Sequence, residues 1–225
     1  GVAGGSGSCR RIEIAIDVDF ELLDEAFDGN TLQALFYVMK LVAAQNELYK
    51  RDVGFGWLIS DLIMWETTSN PWSGSTTAQQ VDEYQDWYQA NGSSIDRDVA
   101  HLLTSRDLGG GRVAAVGGLC NDDGYAISGG INGSFPYPLV AYDSQNWDII
   151  VFAHENGHLC NGSHTHAYSP PLDDCNSGGC TDAANGSLMS YCHTCPGGLS
   201  NFSMEFHPTV ASDVRDYLDA ASCIG

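Results

Sequence analysis

Residues 154–166 (HENGHLCNGSHTH) contain four of the seven histidines of the chain, together with one glutamate. The apolar residues before them recur with helical spacing, which predicts a helix over 146–159. Side chains four residues apart on a helix lie one above the other, so the imidazoles of His154 and His158 are placed to reach one metal ion. Two imidazoles in this arrangement suit Zn²⁺. Glu155 lies beside the first of them, close enough to contact a water at the metal.

The residues after this helix decide which further ligand completes a metal site. His164 lies six residues after His158, so the chain has to reverse beyond Leu159 to bring the third imidazole back. Such a reversal needs a residue with positive φ, a conformation that Gly and Asn adopt most readily, and Asn161-Gly162 stands at that place. His164 is therefore the predicted third ligand, and His166 is the competing one.

The pattern over 154–164, H-E-x-x-H-x-x-N-x-x-H, resembles the signature H-E-x-x-H-x-x-G-x-x-H of the metzincin metallopeptidases. Residues 187–191 (SLMSY) resemble the methionine-containing turn of that class, which places Met189 beneath the three imidazoles. The resemblance also makes Tyr191 a catalytic candidate, as an extra zinc ligand that swings away to stabilise the transition state. The alternative is a tyrosine buried in a disulfide-rich turn. Asn161 replaces the glycine of the family signature.

The wider pattern is most similar to the reprolysin (adamalysin-like) branch, in a bacterial-type secreted form. Residues 98–120 resemble the stretch that leads to the substrate-binding edge strand of that branch. This resemblance implies a disulfide between Cys120 and Cys223. It also implies substrate contacts at the edge strand and in a later loop, by Gly111, Arg112, Val113, Ala114, Ala115 and His193. Thr165 stands where many members of the branch have Asp, which leaves the subgroup open.

The chain has eight cysteines, an even number that indicates disulfides formed in an oxidising compartment. Eight cysteines allow about a hundred pairings, so the residues alone leave the connectivity open. An alternative is a zinc site with cysteine ligands, around Cys192-x-x-Cys195 or around Cys175 and Cys180. The disulfide candidates without an assigned partner are Cys9, Cys160, Cys175, Cys180, Cys192 and Cys195.

The charge balance excludes some partners. Nine Lys and Arg against 29 Asp and Glu give a formal net charge of −20. Such a surface repels nucleic acid and anionic lipid, because contacts to phosphate supply most of that binding energy. No apolar run approaches the ~20 residues of a membrane-spanning helix. We therefore expect no nucleic-acid or membrane partner, and a monomer that is either a highly soluble secreted protein or one adapted to salt.

The cofactor expected from these patterns is Zn²⁺. A Ca²⁺ ion is a second candidate, because side chains with the oxygen ligands that Ca²⁺ prefers follow the histidines at Asp173, Asp174, Asn176 and Asp182. No ordered loop motif supports a calcium site, and the alternative is a solvated acidic loop.

The pattern predicts an α/β (α+β), metzincin-like fold with a mixed, mostly parallel twisted sheet. We expect a single catalytic domain over 1–225, with a flexible N-terminus at 1–8. The N-terminal lobe, about 9–160, holds the sheet, its helices and the helix with the histidines. The C-terminal lobe, about 161–225, is small, irregular and rich in disulfides, and it ends in a helix.

Periodicity places each element along the chain. Strands are predicted at 10–19, 55–67, 98–104, 112–116 and 125–131. Helices are predicted from Asn30 or Thr31 to about Lys50, at 77–91, at 146–159 and from Pro208. The first strand reads as half-buried and the second as a central strand. The first helix is expected to use one apolar face, formed by Leu32, Leu35, Phe36, Met39, Val42 and Ala43.

Residues and resemblance together predict a secreted, zinc-dependent endopeptidase that hydrolyses internal peptide bonds of proteins or peptides. Glu155 is the expected general base. The resemblance further implies a zymogen, held inactive by an inhibitory propeptide. Two alternatives are a catalytically silent binding or adhesion module with this fold, and a zinc hydrolase of a non-peptide amide. A long cleft edged by a strand favours peptides, whereas a deep closed pocket favours a small amide.

Overall fold

The computed structural model describes residues 10–176 and 178–224, so Cys9 and the predicted flexible N-terminus lie outside it. Five strands form one sheet in the order β2-β1-β3-β5-β4, in which only β4 is antiparallel to its neighbour. The strands are β1 Arg11–Val18, β2 Gly56–Met64, β3 Val99–Leu103, β4 Gly111–Val113 and β5 Tyr125–Ser128. The helices are α1 Phe20–Phe27, α2 Thr31–Asp52, α3 Thr77–Asn91, α4 Trp147–Leu159 and α5 Pro208–Ala220. The predicted fold class is confirmed.

Both faces of β1 are buried, so the prediction of a half-buried strand was wrong. One face joins the main core against α2 and α4, and the other packs with Tyr84 and Tyr88 of α3. Asp17, on the second face, is fully buried and accepts hydrogen bonds from both of these tyrosines and from Trp65 Nε1. Burial raises the pKa of Asp17 to about 6, and the three hydrogen bonds counteract part of the rise.

Two other expectations about packing were wrong. The strand over 55–67 was expected at the centre of the sheet, but β2 lies at its edge and pairs only with β1 in the described sheet. The first helix was expected to bury the face that contains Leu32, Phe36 and Met39, yet these side chains are 58%, 61% and 52% exposed. α2 instead buries the opposite apolar face, which includes Tyr37, Val38, Leu41 and Leu48. The helix carries apolar residues on both faces, and spacing alone does not select between them.

α4 is the most deeply buried helix of the site region, since each of its residues from Asp148 to Leu159 is buried. It packs against β4, β5 and α2. At its first turn, the Asp148 carboxylate accepts hydrogen bonds from Tyr37 Oη and from the backbone amides of Asn132 and Ser134. This anchoring fixes the start of α4 and hence the positions of the histidines near its end. None of the helices in the described ranges is both long and apolar enough to cross a membrane.

Beyond α4 the chain forms short 3₁₀ turns that disulfides hold together, as the Gly- and Ser-rich sequence predicts. Cys120 is bonded to Cys223, Cys175 to Cys192, and Cys180 to Cys195. The alternative of a zinc site with these cysteines as ligands is therefore wrong, because their sulfurs are bonded to one another. Cys160 is buried and has no disulfide partner within the described ranges. The prediction that it forms a disulfide was therefore wrong for the described part of the chain.

The Cys120–Cys223 disulfide is expected to add more to the free energy of unfolding than the Cys180–Cys195 disulfide. It links residues 103 apart and encloses α4 and its histidines, whereas Cys180 and Cys195 are 15 apart. Replacing both cysteines of the long loop by serine should cost about 4.7 kcal/mol, against about 3 kcal/mol for the short loop. Urea unfolding of the two double variants would measure this. A larger loss for the short loop would contradict the loop-entropy explanation.

Candidate metal centre

The end of α4 and the reversal after it bring three histidines together. His154 and His158 lie on the same side of the helix, one turn apart. Asn161 adopts a positive φ of 66°, as predicted, and its amide donates to the carbonyl of His158. The amide of Gly162 then donates to the carbonyl of Gly157, which closes the helix end. His164 follows on the returning segment and faces the two helical histidines.

The three imidazoles face one another through their Nε2 atoms. Nε2 of His164 lies 2.9 Å from Nε2 of His158 and 3.2 Å from Nε2 of His154. A tetrahedral ion at ~2.1 Å from each nitrogen would hold them about 3.4 Å apart. Nδ1 of His154 is 2.7 Å from the Leu188 carbonyl and Nδ1 of His158 is 2.7 Å from the Gly162 carbonyl.

These carbonyl contacts assign the tautomer. A carbonyl only accepts, so Nδ1 of His154 and of His158 carries the proton and Nε2 keeps its lone pair. Lone pairs that converge without a proton between them repel each other, and a cation between them removes the repulsion. The residues present therefore fit a metal ion with nitrogen ligands, and the ligand atoms of the three histidines all lie within 4.8 Å of one another.

The protonation state of the histidines also suits a metal. Burial lowers the pKa of His154 far below its ordinary value, and the neighbouring His158 and His164 lower it further. Burial likewise lowers the pKa of His158. The pKa of His164 falls to about 4 through burial and the nearby His158 and His166. Neutral imidazole is the form that ligates a metal, so the site does not have to lose protons to bind one at neutral pH.

Glu155 points from α4 toward β4 and is 5% exposed. Burial raises the pKa of its carboxyl to about 8, and the Arg112 guanidinium opposes this rise. No side chain or backbone group of the described residues donates a hydrogen bond to this carboxylate. A cation at the three histidines would lower the pKa again, because positive charge favours the ionised carboxylate.

The position of Glu155 depends on the glycine at 111. A Cβ atom at Gly111 would lie 2.5 Å from both Cγ and Oε1 of Glu155, far inside contact distance. Gly111→Ala is therefore expected to displace the carboxylate and to lower kcat by about 100-fold, while the three histidines keep their metal. Steady-state kinetics and the metal content of the purified variant would test this.

Gly29→Ala is the control for Gly111→Ala. It adds a methyl group at a positive φ of 73° with nothing within 4 Å, in the turn between α1 and α2. It should lower stability through backbone strain and leave kcat unchanged. A Gly111→Ala protein with full activity would show that Glu155 tolerates the extra methyl group.

Met189 packs against α4 at Gly157, next to the histidine ligands. Its side chain is fully buried, and a Cβ at Gly157 would lie only 2.6 Å from its sulfur. Because position 157 is a glycine, the thioether can pack directly against the helix backbone between the two helical ligands. The Met189 carbonyl accepts the amide hydrogen bond of Thr165, which fixes the segment next to His164.

Tyr191 and two further histidines surround the centre. The ring centroid of Tyr191 is 4.4 Å from that of His164, and burial together with the nearby Glu155 raises the pKa of its hydroxyl. His166 stacks on His164 with ring centroids 5.1 Å apart, but its nitrogens are not part of the three-histidine group. His166 is thus a neighbour of the ligand set, as is His193, whose ring centroid is 5.7 Å from that of Tyr191.

Two cavities flank the centre, and both are lined by Gly111, Glu155 and Tyr191. They are two parts of one cleft. One part, of about 470 Å³, reaches between α4 and the loop after Met189, and the predicted contact His193 lines it together with Trp147, Ile150, Val151 and Phe202. The other part, of about 400 Å³, runs along the edge strand and is lined by Arg112, Val113, Ala114, Ala115, Val116, His158 and His164.

The residues considered for Ca²⁺ have other partners. In the described part of the chain, the carboxylates of Asp173, Asp174 and Asp182 do not form a group of ligands within 4.8 Å of one another. Asp173 accepts the backbone amide of Cys175, and Asp174 accepts that of Thr181. Asp174 also accepts the backbone amide of Asp182. These backbone contacts support loop structure and give no support to a calcium site.

The sequence did not reveal a buried polar chain behind α4. Asn156 donates from Nδ2 to Oε1 of Gln45, and its Oδ1 lies 3.0 Å from Nδ1 of His101. Nε2 of His101 in turn lies 2.8 Å from the hydroxyl of Ser128. This chain joins α4 to α2, β3 and β5, so it holds the helix that carries the ligands in a fixed rotation. The partners of His101 were not predictable from the sequence, because they lie on elements distant along the chain.

Solved structures share the fold of this chain. A crystal structure of metalloproteinase-II from Bacteroides fragilis aligns with a TM-score of 0.54 at 15% identity, over 95% of this chain and 55% of that chain. A structure of a chaperone-substrate complex aligns with a TM-score of 0.56 at 13% identity, over 92% of this chain and 33% of that one. The chain thus spans about half and about a third of their lengths. No curated protein matches.

The family follows from the sequence match. The family model Reprolysin_5, metallo-peptidase family M12, matches residues 8–203. Because this match covers most of its length, the chain belongs to metallo-peptidase family M12. The predicted resemblance to the reprolysin branch of the metzincins is confirmed.

Proposed function

We propose that the protein is a secreted zinc endopeptidase that hydrolyses internal peptide bonds, with His154, His158 and His164 as the metal ligands. Zinc held by these three imidazoles would lower the pKa of a coordinated water and polarise the scissile carbonyl. Glu155 takes a proton from the attacking water and returns it to the leaving amine. Tyr191 lies on the cleft side of His164 and donates a hydrogen bond toward the oxygen on which negative charge develops.

The burial of Glu155 beside the three histidines is the main support for this proposal. A buried carboxylate without a hydrogen-bond donor from the protein costs free energy in the folded state. A silent binding module has no need to retain such a group beside three converging imidazoles. For a hydrolase, the same carboxylate is available to accept a proton from a water. The endopeptidase is thus favoured over the binding or adhesion module.

The shape of the cleft favours a peptide over a small amide. The cleft continues on both sides of Glu155, and one side follows β4, whose outer edge has no strand partner in the described sheet. An extended peptide fits such an edge by strand addition, with its backbone paired to Gly111–Val113. The side chain of the peptide residue that follows the scissile bond then enters the cavity beside Trp147 and His193. A small amide would use only the centre of this cleft.

Three further parts of the proposal rest on the family or on composition. Three disulfides support an extracellular location. The inhibitory propeptide is proposed from the resemblance to a class of zymogens. A monomer is proposed from the formal charge of −20, since two copies repel each other.

The test is cleavage of an unbiased peptide pool by the zinc-loaded protein, read by mass spectrometry. We expect internal cuts that are absent from the same reaction with the Glu155→Gln variant. The residues around the cuts would give the preference of the cavity beside His193. A zinc-loaded wild-type protein that leaves the whole pool intact would contradict the endopeptidase and favour a binding module or a non-peptide substrate.

A further inference from the structure

Cationic side chains are concentrated in one groove of this acidic protein. The chain has nine Lys and Arg residues against 29 acids. Four of the nine line a groove of about 730 Å³, namely Arg10, Arg11, Lys50 and Arg215. Asp219 is the one acid among the described residues that line it. By contrast, Arg112 is the one cation among the described residues that line the catalytic cleft.

The groove lies far from the metal centre. Residues 54–58, which lead into β2, form one of its walls. β2 and β4 are at opposite edges of the sheet, separated by four strand-to-strand steps. At about 4.8 Å a step, this amounts to about 19 Å, so a ligand in the groove does not reach the cleft.

Backbone carbonyls orient two of the cations, Arg10 and Arg215, and Arg10 also lies beside an acid. The Arg10 guanidinium donates to the carbonyl of Ala221 at 2.7 Å and lies 3.6 Å from the Asp219 carboxylate. Arg215 donates from Nε to the carbonyl of Val53 at 3.0 Å. A carbonyl orients a guanidinium and leaves its charge in place, so Arg215 contributes an ordered positive charge to the groove.

The other two cations are available to a ligand. Arg11 and Lys50 are exposed, and neither makes a hydrogen bond or ion pair with the described residues. A Cβ at Gly56 would lie 2.9 Å from Cε of Lys50, so the glycine lets the lysine lie across the start of β2. The ammonium group is thereby brought over the wall of the groove.

The floor of the groove is apolar. Phe55, Trp57 and the 39% exposed Leu58 line it, and the Arg10 guanidinium lies 5.4 Å from the Phe55 ring centroid. The buried indole N–H of Trp57 has no hydrogen-bond partner in the described part of the chain. The groove therefore combines positive charge with apolar surface at an unpaired strand edge.

We propose that this groove binds an extended acidic peptide segment that also carries apolar side chains. Carboxylates of the peptide pair with Arg11 and Lys50, its apolar side chains pack on the exposed Leu58, and its backbone follows the edge of β2 that has no partner in the described sheet. The net charge of the whole protein favours binding of an acidic peptide in this groove over binding elsewhere on the surface. An acidic peptide is repelled by the rest of a surface with a net charge of −20, so the field directs it to this cationic groove.

The test uses a short dye-labelled peptide of alternating aspartate and leucine, titrated against the full chain and followed by fluorescence anisotropy. The Glu155→Gln background keeps the probe intact, and the binding does not depend on the proposed catalysis. We expect saturable binding that weakens as NaCl is raised. A lysine–leucine counterpart should not bind in the groove. The absence of saturable binding of the acidic peptide would overturn the proposal, as would binding that does not weaken when Lys50 is replaced by glutamate.

Two lysines of α2 provide matched variants. Lys50→Glu should raise the Kd of the acidic peptide by about fivefold or more. Lys40→Glu makes the same charge change on the same helix, beside the Phe135 ring and outside the groove, and should leave the Kd nearly unchanged. Equal effects of the two variants would show a non-specific charge effect. Self-association that Lys50→Glu abolishes, without peptide binding, would assign the groove to a second copy and overturn the proposal.

Discussion

Replacing Glu155 by glutamine is expected to lower kcat/KM for a cleaved peptide by about 10²–10⁴-fold, the contribution of a positioned general base. Glutamine has nearly the same shape and fits the space beside Gly111, but its amide does not accept the proton of a water. The two helical ligands keep their supports, since Nδ1 of His154 contacts the Leu188 carbonyl and Nδ1 of His158 contacts the Gly162 carbonyl. The variant should therefore retain its zinc, measured by elemental analysis of the purified protein.

The stability of the Glu155→Gln variant provides a second readout. In the metal-free protein, the wild-type carboxyl is buried and its pKa is raised to about 8, so its ionised form is disfavoured in the folded state, and the comparison is made after a chelator has removed the metal. A neutral amide at this place should leave the free energy of unfolding at neutral pH unchanged or higher. A variant that lost zinc, or that unfolded more easily, would show that Glu155 acts in structure. A variant with full kcat/KM would remove it from the reaction.

The elements of the fold were predictable where their signals are local. The apolar spacing of α3 gave its limits, and the Asn30 side chain caps α2 by accepting the amide of Gln33. The packing was less predictable, because α2 has apolar residues on both faces. The identity of the buried face depends on β2 and α4, which are distant in sequence. Similarly, β1 alternates like a half-buried strand, yet α3 covers its second face.

In the candidate site, too, the residues that are close in sequence were predictable and the contacts between distant segments were not. His154, Glu155, His158 and His164 lie in one short stretch, so their grouping followed from helical spacing and one reversal. The contacts that position them involve distant residues. Gly111 makes room for Glu155, and Asn156 bonds to Gln45 across 111 residues of sequence. Such contacts are set by the sheet and helix packing, which spacing in the sequence does not encode.

Removing the third ligand is expected to abolish metal binding and activity together. In His164→Ala, only the two helical imidazoles remain, and a catalytic zinc site uses three protein ligands. Loss of an outer hydrogen-bond partner of a ligand weakens metal binding by about 10–100-fold, so loss of the ligand itself should exceed about 100-fold. Competition with a chromogenic chelator would measure the affinity, and kcat/KM should fall to the level of the metal-free wild-type protein.

His166→Ala is the control that separates ligand from neighbour. This ring stacks on His164 at 5.1 Å, so its removal changes the packing around the third ligand without removing a nitrogen from the group. Its zinc affinity should stay much closer to that of the wild type than that of His164→Ala. The reverse order of affinities would assign the third position to His166. That outcome would require the segment after Asn161 to shift, because Nε2 of His164 now lies 2.9 Å from that of His158.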